Sequence, residues 1–139
     1  IKDFAKNKPV MGTCAGLIMM AKKIENESKV VPLDILDITV SRNAYGRQIM
    51  SSKIPINLEL NNESIFLDAT LIRAPKITEL SDNVMVLTMI KKSPAVVLQG
   101  MHLGISFHPE LNGITIFHEI LFNSSSKFYW SNLSKVDAA

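Results

Sequence analysis

One cysteine, no concentrated charge and no apolar stretch of membrane-crossing length already narrow what this 139-residue chain can be. A solitary cysteine cannot form an internal disulfide, which fits a reducing compartment and leaves a free thiol to be explained. No apolar run approaches the roughly 18 to 20 residues that span a bilayer, so no membrane is expected as a partner. The opening Ile1-Lys2-Asp3-Phe4 has neither a signal-peptide core nor an initiator methionine. It therefore reads as cytoplasmic and as beginning mid-protein. The formal charge of +2 is dispersed, and Lys22-Lys23 and Lys91-Lys92 are too short to track phosphates, which argues against nucleic acid. There is no internal repeat, and low complexity is confined to Ser124-Ser125-Ser126. About half the residues are apolar, enough for one domain with a real core.

Residues 9–12 form a short apolar run, and the apolar positions Leu17, Ile18, Ala21 and Ile24 then recur at helical spacing. The expectation is strand, tight turn, helix. Segments 36–40, 54–60, 64–73, 84–90, 95–99 and 103–107 are rich in Val, Ile, Leu and Phe and bounded by turn residues, so they are predicted strands. A helix is expected over 114–122. Phe128, Tyr129 and Trp130 follow in a polar tail, 123–139, able to dock on the core or on a partner. One helix early, one late and a strand-rich middle provide few crossovers for a doubly wound parallel sheet, so the fold is expected to be α/β but incomplete at its N-terminus.

Gly12-Thr13-Cys14-Ala15-Gly16 has the G-x-C-x-G pattern of a nucleophile elbow, a sharp strand-to-helix turn that projects a reactive side chain. Both glycines make steric sense beside such a turn, and the amides and dipole of the helix that follows are expected to favour a thiolate. A lone cysteine is otherwise most often a small buried hydrophobe, and it is the strand, helix and flanking glycines that change the reading of Cys14.

Ser106-Phe107-His108-Pro109-Glu110 places a histidine where a strand leaves its sheet, the position at which open α/β sheets put their active sites. Pro109 fixes one backbone dihedral and biases His108 towards an extended conformation, holding His108 and Glu110 in a rigid register. In that arrangement Glu110 orients the ring and His108 takes the proton of Cys14. Each residue taken alone would read as an ordinary loop histidine and a solvated acid.

The order G-T-C-A-G-L-I, then S-F-H-P-E-L far downstream, resembles the class I glutamine amidotransferases, a Cys-His-Glu family with a flavodoxin-like three-layer α/β sandwich. Ser41-Arg42-Asn43-Ala44-Tyr45-Gly46-Arg47-Gln48 and Leu71-Ile72-Arg73-Ala74-Pro75 look like segments of the glutaminase subunits of pyridoxal 5′-phosphate synthase, in a style similar to fungal members. The resemblance covers residues 1–122. It implies hydrolysis of L-glutamine and transfer of the ammonia to a synthase subunit. The vitamin B6 cofactor is then a product of the pathway, and neither cofactor nor metal is expected on this chain. It further implies a glutamine pocket lined by Arg42, Ile72 and Arg73 and an oxyanion held by amides including that of Ala15. Guanidinium forks suit an α-carboxylate, although without the resemblance either arginine would read as a surface residue in an ordinary ion pair. His102 and His118 are read as structural.

The family's opening strand and its G-G-E-S-type turn, a second oxyanion donor, have no counterpart here. Loss of one such donor costs on the order of 100- to 1000-fold in rate, so the chain as given is expected to be inactive or nearly so. Three other readings stay open: a glutaminase serving another class I pathway, a catalytically impaired docking subunit, and a cysteine hydrolase or redox sensor on a similar elbow.

Overall fold

The computed structural model describes residues 1–42 and 52–134. A short helix, α1 (Lys2–Ala5), leads into strand β1 (Val10–Thr13), helix α2 (Ala15–Met20), β2 (Ala21–Ile24) and β3 (Leu36–Ser41). The hairpin β4 (Ser52–Leu60) and β5 (Glu63–Leu71) follows, then β6 (Lys76–Leu80), β7 (Met85–Ile90), β8 (Ser93–Gln99) and β9 (His102–Ile105). A 3₁₀ turn, Pro109–Asn112, and helix α3 (Ile116–Phe122) precede a second 3₁₀ turn, Trp130–Asn132.

Strands β1, β9, β8 and β7 make one sheet in that order, β2, β3 and β6 a second, and β4 and β5 pair with each other. Only β1–β9 and β2–β3 are parallel. The remaining pairs are antiparallel: β4–β5, β7–β8 and β8–β9 join consecutive strands through short turns, whereas β3 pairs with β6, with β4 and β5 lying between them in the chain. β8 is nearly continuous apolar sequence and is buried along most of its length, the pattern of a strand covered on both faces. β4 instead alternates, with Ile56, Leu58 and Leu60 buried and Lys53, Pro55, Asn57 and Glu59 facing water.

Two apolar clusters result. The larger joins the inner face of the β4–β5 hairpin to Leu103, Ile105, Phe107 and α3, with the Phe107 and Phe117 rings edge to face at 6.0 Å. The smaller packs Leu17, Met20 and Ala21 against Leu36, Ile38, Val40 and Ile77. Phe128, Trp130 and Leu133 lie against the larger cluster, so this part of the tail packs on the core. Lys127 reaches Glu63 at 2.9 Å, and the Asn61 amide donates to the Asn132 carbonyl at 2.8 Å.

The early helix is shorter than the expected helical period. It ends at Met20, and Ala21 turns extended, at φ −64° and ψ 159°. Ala21 and Ile24 are buried with Lys22 and Lys23 exposed between them, and the β2–β3 register shifts between Ala21 and Lys23. A bulge puts two successive side chains on the wet face, so a bulged strand repeats the spacing of a helical turn. Strand β6 escaped the sequence reading because it is polar-rich, with only Ile77 buried.

Candidate active site

β1 and β9 run parallel in register, from Val10 opposite His102 to Thr13 opposite Ile105. Cys14 follows β1 by one residue and His108 follows β9 by three, so both leave adjacent strands at the same, C-terminal end. Sites in open α/β sheets form at that end. The Cys14 N–H extends the ladder by one bond, to the Ile105 carbonyl at 2.9 Å.

Cys14 sits at φ 51° and ψ −108°, outside the regions that L-residues prefer. Such a conformation costs about 1–3 kcal/mol, which the flanking strand and helix must offset. Its carbonyl accepts the Leu17 N–H at 3.1 Å, which starts α2 immediately after the turn. Gly12 is required by close packing: a Cβ there would lie 2.5 Å from the Met20 sulfur and 2.6 Å from the Gly16 carbonyl oxygen. Gly16 differs from expectation, since a Cβ there would meet nothing within 4 Å. It is the Gly16 backbone, and not the space around its α-carbon, that crowds the turn.

The thiol also departs from expectation. Burial pushes the Cys14 pKa above its ordinary value, the Ala15 N–H pulls it down, and the Glu110 carboxylate adds a smaller push upward. Desolvation therefore outweighs the one favourable amide, and a six-residue helix contributes little dipole. The fold therefore favours the protonated thiol, and forming a thiolate here would call for a base.

His108 Nδ1 lies 2.6 Å from Glu110 Oε1. Slight burial works to raise the Glu110 pKa, but its own backbone N–H and the bond and charge of His108 outweigh this and hold it below the usual range. An ionised carboxylate only accepts, so Nδ1 carries the proton of this bond, and Nε2 is the nitrogen that faces away from the carboxylate. His108 has φ −108° and ψ 88° before the buried Pro109, and the 3₁₀ turn begun by that proline brings the Glu110 carboxylate to the ring's Nδ1 edge. Among the described residues Cys14 and His108 are not hydrogen-bonded to one another. The sulfur's weak contact is instead with the Ile72 carbonyl, at 3.9 Å.

Ile72, expected to line the substrate pocket, thus approaches Cys14 through its backbone carbonyl, a contact its side-chain type does not announce. Arg73, beside it, is exposed at φ 47° with no ion pair among the described residues. Arg42 is drawn elsewhere: its guanidinium meets Glu27 at 3.1 Å. Residues 43–48 of the same motif lie outside the described residues. His102 has structural contacts, its Nδ1 accepting the Val10 N–H at 3.2 Å. His118 stacks obliquely on Phe122 at 6.1 Å. Among the described residues no three His, Cys, Asp or Glu side chains converge as metal ligands, and no helix is long and apolar enough to cross a membrane.

This α/β arrangement is that of a glutamine amidotransferase. A solved crystal structure of a glutamine amidotransferase superposes with a TM-score of 0.70 at 37% identity, over 80% of this chain and 57% of the other. The chain belongs to the SNO glutamine amidotransferase family, whose model matches residues 1–125. The pyridoxal 5′-phosphate synthase subunit PdxT of Dictyoglomus turgidum is 44% identical over 126 residues, 91% of this chain and 66% of that protein. PdxT of Thermoplasma acidophilum is 43% identical over 123 residues, 88% of this chain and 58% of the relative. The chain therefore spans 58% to 66% of the length of these two relatives.

Proposed function

We propose that this chain carries the glutaminase chemistry of a pyridoxal 5′-phosphate synthase, hydrolysing L-glutamine to glutamate and supplying the ammonia to a synthase subunit. The observation that carries the reading is the parallel β1–β9 pair, from whose common end Cys14 and His108 emerge. The names of the PdxT relatives support the pathway. We read residues 1–122 as the amidotransferase domain, 123–139 as its tail, and the setting as cytoplasmic.

In this mechanism Nε2 of His108 takes the Cys14 proton as sulfur attacks the side-chain carbonyl carbon of glutamine. The Ala15 N–H stabilises the oxyanion of the tetrahedral intermediate. Glu110 holds the imidazolium until its proton passes to the departing nitrogen, releasing ammonia and leaving a γ-glutamyl thioester. Water, deprotonated by His108, attacks that thioester, and the proton returns to sulfur as glutamate leaves. Ile72 and Arg73 flank the substrate, and Arg42 exchanges Glu27 for the substrate's α-carboxylate.

The test is labelling by diazo-oxo-norleucine, a glutamine-mimicking electrophile, read by intact mass with and without a pyridoxal phosphate synthase subunit. Adduct formation at Cys14 that glutamine suppresses and the synthase subunit enhances is the expected result. Folded protein that takes no label in either condition would remove the catalytic reading and leave a docking subunit.

A further inference from the structure

We propose that Thr70 is a positioning residue, which brackets the His108–Glu110 pair and holds it in register with the elbow. The inference rests on the reading of His108 as the general base. It starts from how little else fixes that base. β9 ends at Ile105, and the 3₁₀ turn carrying Glu110 is only four residues long. Such turns have poor internal hydrogen-bond geometry. The side chains of His108 and Glu110 are 28% and 57% exposed, so packing alone does not lock their mutual bond in place.

The clamp comes from the end of β5. The Thr70 carbonyl accepts the His108 N–H at 3.4 Å, at the entry to the turn. The Thr70 hydroxyl donates to Asn112 Oδ1 at 2.6 Å, at the turn's last residue. One residue thus contacts both ends of the segment holding His108, Pro109 and Glu110. Among the described residues this is the only side-chain hydrogen bond that ties the turn to another element. Two residues further along, the Ile72 carbonyl faces the Cys14 sulfur at 3.9 Å. The end of β5 therefore sets the base and the nucleophile relative to one reference.

A displacement of about 1 Å between reacting groups costs on the order of 100-fold in rate, so a hydroxyl that fixes the turn acts on the chemistry without touching substrate. Thr70→Val keeps the shape and removes the donor, Asn112→Ala removes the acceptor, and Thr70→Ser keeps the hydroxyl. The experiment measures iodoacetamide alkylation of Cys14, the one cysteine of these 139 residues, against pH in each variant, beside His108→Ala. Iodoacetamide needs no glutamine pocket, so its outcome is independent of the diazo-oxo-norleucine test.

The expected result is that His108→Ala slows alkylation near neutrality, and that Thr70→Val and Asn112→Ala slow it by about tenfold and move the profile towards that of His108→Ala. Thr70→Ser restores the wild-type profile, and in the His108→Ala background Thr70→Val adds nothing. Wild-type profiles for Thr70→Val and Asn112→Ala beside a slow His108→Ala would overturn the positioning role and leave the base reading standing. A His108→Ala profile equal to wild type would overturn both. Should Thr70→Val fail to fold, Asn112→Ala carries the same decision.

Discussion

Gly12 and Gly16 flank the same cysteine, yet replacing each by alanine should move stability in opposite directions. A Cβ on Gly12 would sit 2.5 Å from the Met20 sulfur and 2.6 and 2.7 Å from the Gly16 carbonyl oxygen and carbon. Ordinary carbon contacts lie at about 3.5–4.0 Å, so something must retreat by about 1 Å. The flexible end of Met20 can swing aside. The Gly16 backbone cannot move without carrying the first turn of α2, and with it Leu17, which is fully buried in the smaller core. Overpacking of this kind costs about 1–3 kcal/mol. At Gly16 a Cβ enters open space, its φ is not left-handed, and alanine is the better helix former by about 1 kcal/mol. The two variants should therefore differ by roughly 3 kcal/mol, with Gly16→Ala the more stable. Urea unfolding followed through Trp130, the single tryptophan, measures this. With a slope of about 1–3 kcal/mol per molar, the two midpoints should lie on the order of 1 M apart or more. Gly12→Ala should also alter Cys14 alkylation, because the helix start and the elbow move together. Equal midpoints, or a Gly16→Ala variant as damaged as Gly12→Ala, would refute the steric account.

Four further outcomes follow from burial and charge. The Cys14 thiol, raised by burial, should be alkylated with a midpoint above the ordinary 9.0. The same shift favours the protonated folded chain, so its contribution to stability is present below pH 9.0 and lost as pH rises towards the folded pKa; Cys14→Ser should flatten that alkaline limb in thermal melts. His102 is held below 6.5 by burial, against a smaller opposing effect of its bond to the Ala5 carbonyl. Its stabilisation is present above that value and lost as pH falls through the folded pKa. His102→Asn, which keeps an acceptor for the Val10 N–H but does not titrate, should lack the acid-side decline in Tm, and an unchanged decline would place its origin elsewhere. Phe107, fully buried and edge-on to Phe117, should cost about 3–5 kcal/mol as Phe107→Ala in the same urea assay, and a loss under about 1 kcal/mol would mean that the core around it collapses freely.

Much of the site was legible because its determinants are local. Gly12 and Cys14 could be read as an elbow from the apolar run before them and the helical period after them, and Cys14 does adopt a positive φ. Pro109 announced the rigid spacing of His108 and Glu110, and the two side chains meet at 2.6 Å. Local rules failed where two structures share one spacing. The pattern Leu17, Ile18, Ala21, Ile24 suits a helix, but after Met20 the bulged strand β2 satisfies it equally. They failed again at Cys14, because a short helix lowers a thiol pKa only if its amides outweigh the burial, and burial is a property of the finished fold.

Local chemistry along the chain determined the strand-to-helix turn at Cys14, the histidine–carboxylate register, the strands with strong apolar content and the family. Tertiary structure alone decided that residues 92 positions apart, Val10 and His102, lie side by side in parallel strands, which puts Cys14 and His108 at one end of a sheet. It also decided that Arg42 turns to Glu27 while the Ile72 carbonyl turns to the sulfur, and that Thr70 reaches Asn112. The reason is that turns and helix starts are set by sterics within a few residues. Strand partners, burial and the pairing of distant polar groups depend on which apolar faces the whole chain closes together.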